Sequence, residues 1–138
     1  MTRPRRHHMR RGAEAIEAAI ALPILLIVLF SGFEYSWALV RAIQLDHAAR
    51  LGAREAALSG ATAADVQNRV AGSLTGLGIT GATISVDPPQ PESVAAGAQI
   101  TVTVEVPYSN VGLLGLDRLM PLPSALEGRA AMVREPES

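Results

Sequence analysis

Arg10-Arg11-Gly12-Ala13-Glu14-Ala15-Ile16-Glu17 opens onto the chain's one long apolar run, which carries no charge from Ala18 to Phe33. As a helix that run is about 24 Å long, slightly short of the ~20 residues that the hydrocarbon core of a bilayer needs. Glu34 interrupts it, and Tyr35-Ser36-Trp37-Ala38-Leu39-Val40 carries it on to Arg41. Tyr35 and Trp37 are amphipathic aromatics of the kind favoured where hydrocarbon meets water. The expectation is one membrane-spanning helix with its outer interface at Glu34, Tyr35 and Trp37, Glu34 either snorkelling or paired. Arg3, Arg5, Arg6, Arg10 and Arg11 crowd the first twelve residues. By the positive-inside rule they place the N-terminus in the cytoplasm and everything after about Arg41 outside.

Two other readings of this region compete. A basic tail also suits nucleic acid, but here it stands directly before a hydrophobic span, and no nucleic-acid partner is expected. A secretory signal peptide has the same order of parts, and Ser36-Trp37-Ala38 offers small residues for cleavage after Ala38. Against that, the apolar run is long for a signal peptide, and Ala-rich helix-forming sequence continues to Leu58 without a break in polarity. Retention as an anchor is favoured. The predicted helix spans residues 14–58, with Pro23 as a potential kink that membrane helices tolerate. Its outer half shows no clean amphipathic stripe. It is rich in small residues (Ala42, Ala48, Ala49, Gly52, Ala53, Ala56, Ala57), which suits close helix–helix approach.

Beyond the helix, the chain of 138 residues leaves room for one small domain. Tyr108 is its only aromatic residue, so its core must come from Val, Ile, Leu and Ala. Such a core buries little area per side chain and leans on the long helix or on partner subunits. Ser59-Gly60 ends the helix. Thr62-Ala63-Ala64-Asp65 has capping-box spacing and opens a short helix to about Leu74, with Val66, Val70 and Leu74 on one face. Ala82 to Val86 alternates as a strand, closed by Asp87-Pro88-Pro89. Ile100, Val102, Val104 and Val106 alternate with Thr101, Thr103 and Glu105 in the clearest strand of all. Residues 128–134 form a weaker third. Residues 107–126, apolar but broken by Gly and Pro, are expected to cover an open face of the sheet or meet a partner. The fold class is α+β: a long helix, a short helix and a small antiparallel sheet of about three strands. The boundaries fall at a basic leader (1–12), the long helix (13–58) and an extracytoplasmic domain (59–138).

Little in the chain suggests catalysis. Gly76-Leu77-Gly78-Ile79-Thr80-Gly81 spells a dinucleotide-binding fingerprint, but it follows a helix and precedes a strand, the reverse of the context that gives it meaning. It reads as a helix cap and turn. His7, His8 and His47 are too scattered for the three or four convergent ligands of a metal site. Cysteine is absent, which removes disulfides and thiolate chemistry. No enzyme activity and no cofactor are expected. Glu14 and Glu17 suit the first turns of a helix by its dipole, yet a carboxylate beside an apolar span is costly without a partner. A chain cut after Gly12 would begin with a cationic amino group at Ala13. That group can pair with Glu17 on the same chain or on a neighbour, which would set the axial register between subunits.

Taken together, Arg11-Gly12-Ala13-Glu14-Ala15-Ile16-Glu17, Leu22-Pro23, Gly32-Phe33-Glu34 and Ala48-Ala49-Arg50-Leu51-Gly52-Ala53-Arg54-Glu55-Ala56-Ala57 resemble the TadE-like family, pseudopilins of the tight adherence (Tad/Flp) pilus machinery. Residues 100–108 are similar to the family's strand ending in Pro-Tyr. The resemblance implies a type IV pilin-like fold and a non-catalytic, bacterial minor pilin held in the inner membrane or incorporated in the pilus. It implies a prepilin peptidase that cuts after Gly12, with Glu17 as the acid at the fifth mature position. Ala18 stands where pilins of this system usually carry an aromatic residue. The implied partners are the inner membrane, that peptidase, other pilin or pseudopilin subunits met through the helix, and the Tad secretion platform. The alternative is a membrane-anchored or secreted binding module outside any pilus.

Overall fold

The run of Ala, Leu, Glu and Arg forms one uninterrupted helix, α1 (Arg6–Ala57), whose 52 residues span about 78 Å. The structure is a computed structural model and describes residues 6–116 and 120–136. Arg3, Arg5 and Glu137 lie outside the described residues, as do the side chains of residues 6–11. Pro23 sits inside α1 without ending it. After α1 the chain turns at Gly60, whose φ of +80° suits a residue without a Cβ.

The second helix, α2 (Ala63–Gly76), starts as its capping box predicts. The Thr62 hydroxyl accepts from the Asp65 N–H at 3.3 Å, and the Asp65 carboxylate accepts from the Thr62 N–H at 2.9 Å. Its far end is a Schellman turn: Ile79 N–H donates to Leu74 at 2.9 Å and Gly78 N–H to Thr75 at 3.0 Å, with Gly78 at φ +67°. The glycine cluster at 76–81 is thus the exit of a helix and the turn into a strand. Hydrogen bonds from Thr62 hold the Asp65 carboxyl below the usual carboxylate range. A depressed carboxyl adds stability above the unfolded value of about 3.9 and loses it as pH falls through the folded value. Thr62→Ala removes the cap and should lower the urea midpoint at neutral pH, and its difference from the parent should shrink in acid.

Three strands follow: β1 (Thr83–Asp87), β2 (Gln99–Pro107) and β3 (Ala125–Val133), in the order β1-β2-β3, all antiparallel. The register pairs Ile84 and Gly128 with Val104, Val86 and Ala130 with Val102, Leu126 with Val106, and Met132 with Ile100. The apolar side chains of all three strands therefore share one face. β3 starts at Ala125, three residues before the predicted strand, because it pairs with β2 as far as Pro107. Just beyond its end, the buried Arg134 donates to the carbonyls of Pro91 at 2.7 Å and Val94 at 2.6 Å, fixing the β1–β2 connection.

The outer half of α1 lies on this apolar face beside α2, a two-layer arrangement. Here the expectation of no stripe fails. Glu34, Ala38, Leu45, Ala48, Ala49, Gly52, Ala53, Ala56 and Ala57 are all buried and recur at three- and four-residue intervals on one side of the helix. The stripe escapes a hydropathy reading because, Glu34 and Leu45 apart, it is made of Ala and Gly. Its small residues let the sheet and α2 of the same chain come close. A Cβ added at Gly52 would stand 2.5 Å from a Val70 methyl.

Candidate functional site

The two ends of α1 differ in what covers them. From Gly12 to Phe30 every residue is exposed, including Ile16, Ile20, Leu22, Ile24, Leu25, Ile27 and Val28. The core helix of a soluble domain would be covered. This one is bare over the stretch that is long and apolar enough to cross a membrane, with a mean hydropathy of 2.3 over its most apolar window. Gly12, Ala13, Glu14 and Glu17 all lie on this bare part, and among the described residues nothing beyond the helix's own backbone comes within 4 Å of a Cβ built at Gly12. Glu14 and Glu17 are three apart and so share a helix face. The structure brings no partner of its own to Glu17 among the described residues. Ala18, Ala21, Leu22, Leu25 and Val28 line a shallow apolar notch along the same segment.

Glu34, Tyr35 and Trp37, the trio expected at a membrane interface, lie at the other end of the bare segment. Glu34 is fully buried and paired, so the second of its two expected solutions is the one adopted. Its carboxylate accepts from the Tyr108 hydroxyl at 2.7 Å and from two backbone amides, Leu113 N–H at 3.2 Å and Leu114 N–H at 2.8 Å. Three donors satisfy a carboxylate without a cation, as buried carboxylates require. One turn on, the Trp37 indole N–H donates to the Val111 carbonyl at 2.7 Å, and the Tyr35 hydroxyl donates to the Pro121 carbonyl at 2.9 Å. The helix therefore grips the β2–β3 connection at several points. Arg41 lies against the Trp37 ring, 4.6 Å from its centroid, and donates to the Leu77 carbonyl at 3.0 Å.

Residues 107–126 resolve into three parts. Pro107 and Leu126 belong to β2 and β3, while Tyr108 and Val111 are buried in the core. The segment between closes the end of the domain nearest the bare helix, and Leu113 and Leu114 are left about half exposed. Residues 117–119 lie outside the described residues. Sequence reasoning named Glu34 but missed Tyr108, Leu113 and Leu114 as its partners; the sole aromatic residue of the outer domain was the available clue.

Burial, reinforced by the Glu34 hydrogen bond and charge, pushes the Tyr108 phenol well above its usual range. A raised phenol contributes stability below the unfolded value of about 10, and that stability disappears as pH rises through the folded value. In a Tyr35→Phe background, phenolate absorbance should therefore appear only together with unfolding of the outer domain. Ionisation in the folded state near the ordinary tyrosine value would contradict the buried contact.

Among the described residues no group of three or more His, Cys, Asp or Glu side chains comes together to hold a metal ion. No curated protein and no solved structure matches the chain. The model of the family described as TadE-like protein matches residues 12–54, which hold the exposed junction and the helix side of the loop anchorage.

Proposed function

We propose that this protein is a non-catalytic minor pilin (pseudopilin) of a tight-adherence type IV pilus, anchored in the bacterial inner membrane with its N-terminus in the cytoplasm. The TadE-like match supports involvement in such a system. The observation that carries the reading is the division of one continuous helix into a bare apolar half and a half sealed under its own small domain. A helix exposed on all sides over residues 12–30 must find lipid or other helices. Prepilin peptidase would cut between Gly12 and Ala13, at a point where the chain leaves room around the backbone. Glu17, with Glu14 on the same face, would then meet the new amino group of a neighbouring subunit and fix the helix register, as an unpaired intramembrane carboxylate is costly. Pilin subunits and the secretion platform are the partners this implies.

A signal peptide cleaved after Ala38 fits this architecture poorly. It would remove Glu34, Tyr35 and Trp37, leaving the Tyr108 hydroxyl and the Leu113 and Leu114 amides without their acceptor. Intact-mass analysis of the protein from its native membrane tests the reading, and a mature chain beginning at Ala13 is expected. A start near Leu39 would make it a secreted domain and end the pilin interpretation. Glu17→Ala should leave the outer domain folded and the protein in the membrane, yet abolish pilus assembly as scored by electron microscopy. Normal pili from that variant would reduce the helix to a mere anchor.

A further inference from the structure

Outside α1, the exposed large apolar side chains among the described residues are Leu58, Leu113, Leu114 and Val133. Two of the four are neighbours in the segment that Glu34 holds. Their height along the helix is fixed by backbone, since both amides donate to the Glu34 carboxylate. That height can be placed against a bilayer. Residues 12–33 are twenty-two in number, about 33 Å of helix, close to the ~30 Å of a hydrocarbon core. A span that begins after the basic residues therefore ends at Glu34. Phe33 and Tyr35 flank Glu34 on the helix and are themselves about half exposed. The Tyr35 hydroxyl ties a second point of the same connection, Pro121, at this level. The exposed leucines are thus continuous with the lipid-facing surface of α1 rather than isolated on the domain.

We propose that Leu113 and Leu114 form a lipid-contacting rim: these two leucines rest on the outer leaflet, so the outer domain sits directly on the membrane surface. The occupant is lipid. Aromatic and aliphatic side chains at this depth gain by leaving water, and the Leu113 and Leu114 amides are already satisfied by Glu34, so these two donors do not enter the interface unpaired. Glu34 accordingly has a double consequence. It neutralises the donors of a loop that approaches hydrocarbon, and it keeps its own charge out of the lipid.

The inference rests on the membrane-anchor reading, and the test separates the two. The chain has no cysteine, so single cysteines can be introduced and labelled with an environment-sensitive nitrobenzoxadiazole dye. Three variants of the full chain would be reconstituted in phosphatidylcholine–phosphatidylglycerol vesicles: Leu113→Cys, Ile24→Cys within the bare helix, and Gly72→Cys on α2. Gly72 is a distant reference, because neighbouring Val70 packs at Gly52, eighteen residues and about 27 Å along the helix from Glu34. The label at 113 should be quenched several-fold more by lipids brominated near the headgroup than the label at 72, and be shielded from aqueous iodide. Quenching at 24 with a label at 113 as open to iodide as that at 72 would overturn the rim and leave the anchor standing. A label at 113 shielded from both quenchers would also overturn it, assigning the leucines to a protein contact. No lipid quenching at 24 would bring down the anchor reading itself and the rim with it.

Discussion

Gly128→Val is expected to unfold the outer domain. Gly128 lies in β3 opposite Val104, at the point where the strand crosses α1. A Cβ placed there would overlap the main chain of Leu45 and Asp46. Backbone cannot swing aside as a side chain can, so the strand and helix must separate. That separation breaks more than one contact: the neighbouring Arg129 N–H donates to the Asp46 carboxylate at 3.2 Å, and Leu45 beside it is fully buried. Overpacking usually costs ~1–3 kcal/mol. A collision of two main chains should exceed that range and consume much of the ~5–15 kcal/mol that holds a domain together. Gly52→Ala supplies the comparison, because the atoms nearest its new methyl are side-chain methyls of Val70, Val102 and Val66. It should destabilise within the usual overpacking range. Urea titration in detergent micelles, followed by Trp37 fluorescence, reads both variants. A Gly128→Val protein that melts like the parent would mean that β3 does not lie on α1 as described.

The same glycine shows where sequence alone stops. A lone Gly inside a strand signals close backbone approach, but nothing local says which backbone approaches. The strands were legible because Ile100, Val102, Val104 and Val106 alternate, and α2 because Thr62 and Asp65 stand three apart. Both signals live within a few residues. The packed stripe of α1 was not legible, since Ala and Gly carry too little hydrophobicity to mark a face and their smallness fits a partner helix as well as a sheet. The burial of small residues is decided by what lies opposite, and here that is β3 and α2 of the same chain. The site divides in the same way. The junction at Gly12 to Glu17 could be read as a linear pattern. The anchorage of Glu34 could not, because its donors at Tyr108, Leu113 and Leu114 lie 74 to 80 residues away along the chain. A single carboxylate at the end of an apolar run announces that it needs partners without naming them.

Glu34→Ala should detach the β2–β3 connection from the helix. The substitution removes the acceptor for three buried or part-buried donors at once and leaves a void where the carboxylate stood. Each hydrogen bond to a charged group is worth about 1.5–3 kcal/mol. The sum overstates the loss, because a freed loop can turn its amides to water. A net cost of about 3 kcal/mol is expected, since a buried donor left without its acceptor costs ~1–3 kcal/mol. Glu34→Gln should lie between the parent and Glu34→Ala. Its amide oxygen can still accept from Tyr108, but its NH2 group would face a backbone N–H with nothing to accept. The loss should also be local. Core residues Val102, Val66 and Val70 pack well away from Glu34 around Gly52, so limited proteolysis should cut beside Leu113 and Leu114 before the domain as a whole unfolds. Trp37 offers an independent signal, since its indole N–H bond to Val111 depends on the same loop position, and its emission should shift to the red under conditions in which the sheet persists by circular dichroism. An unchanged emission and an uncut loop in Glu34→Ala would show that Trp37 and Tyr35 hold the connection without it. The charge at Glu34 would then have to be explained by something outside this chain.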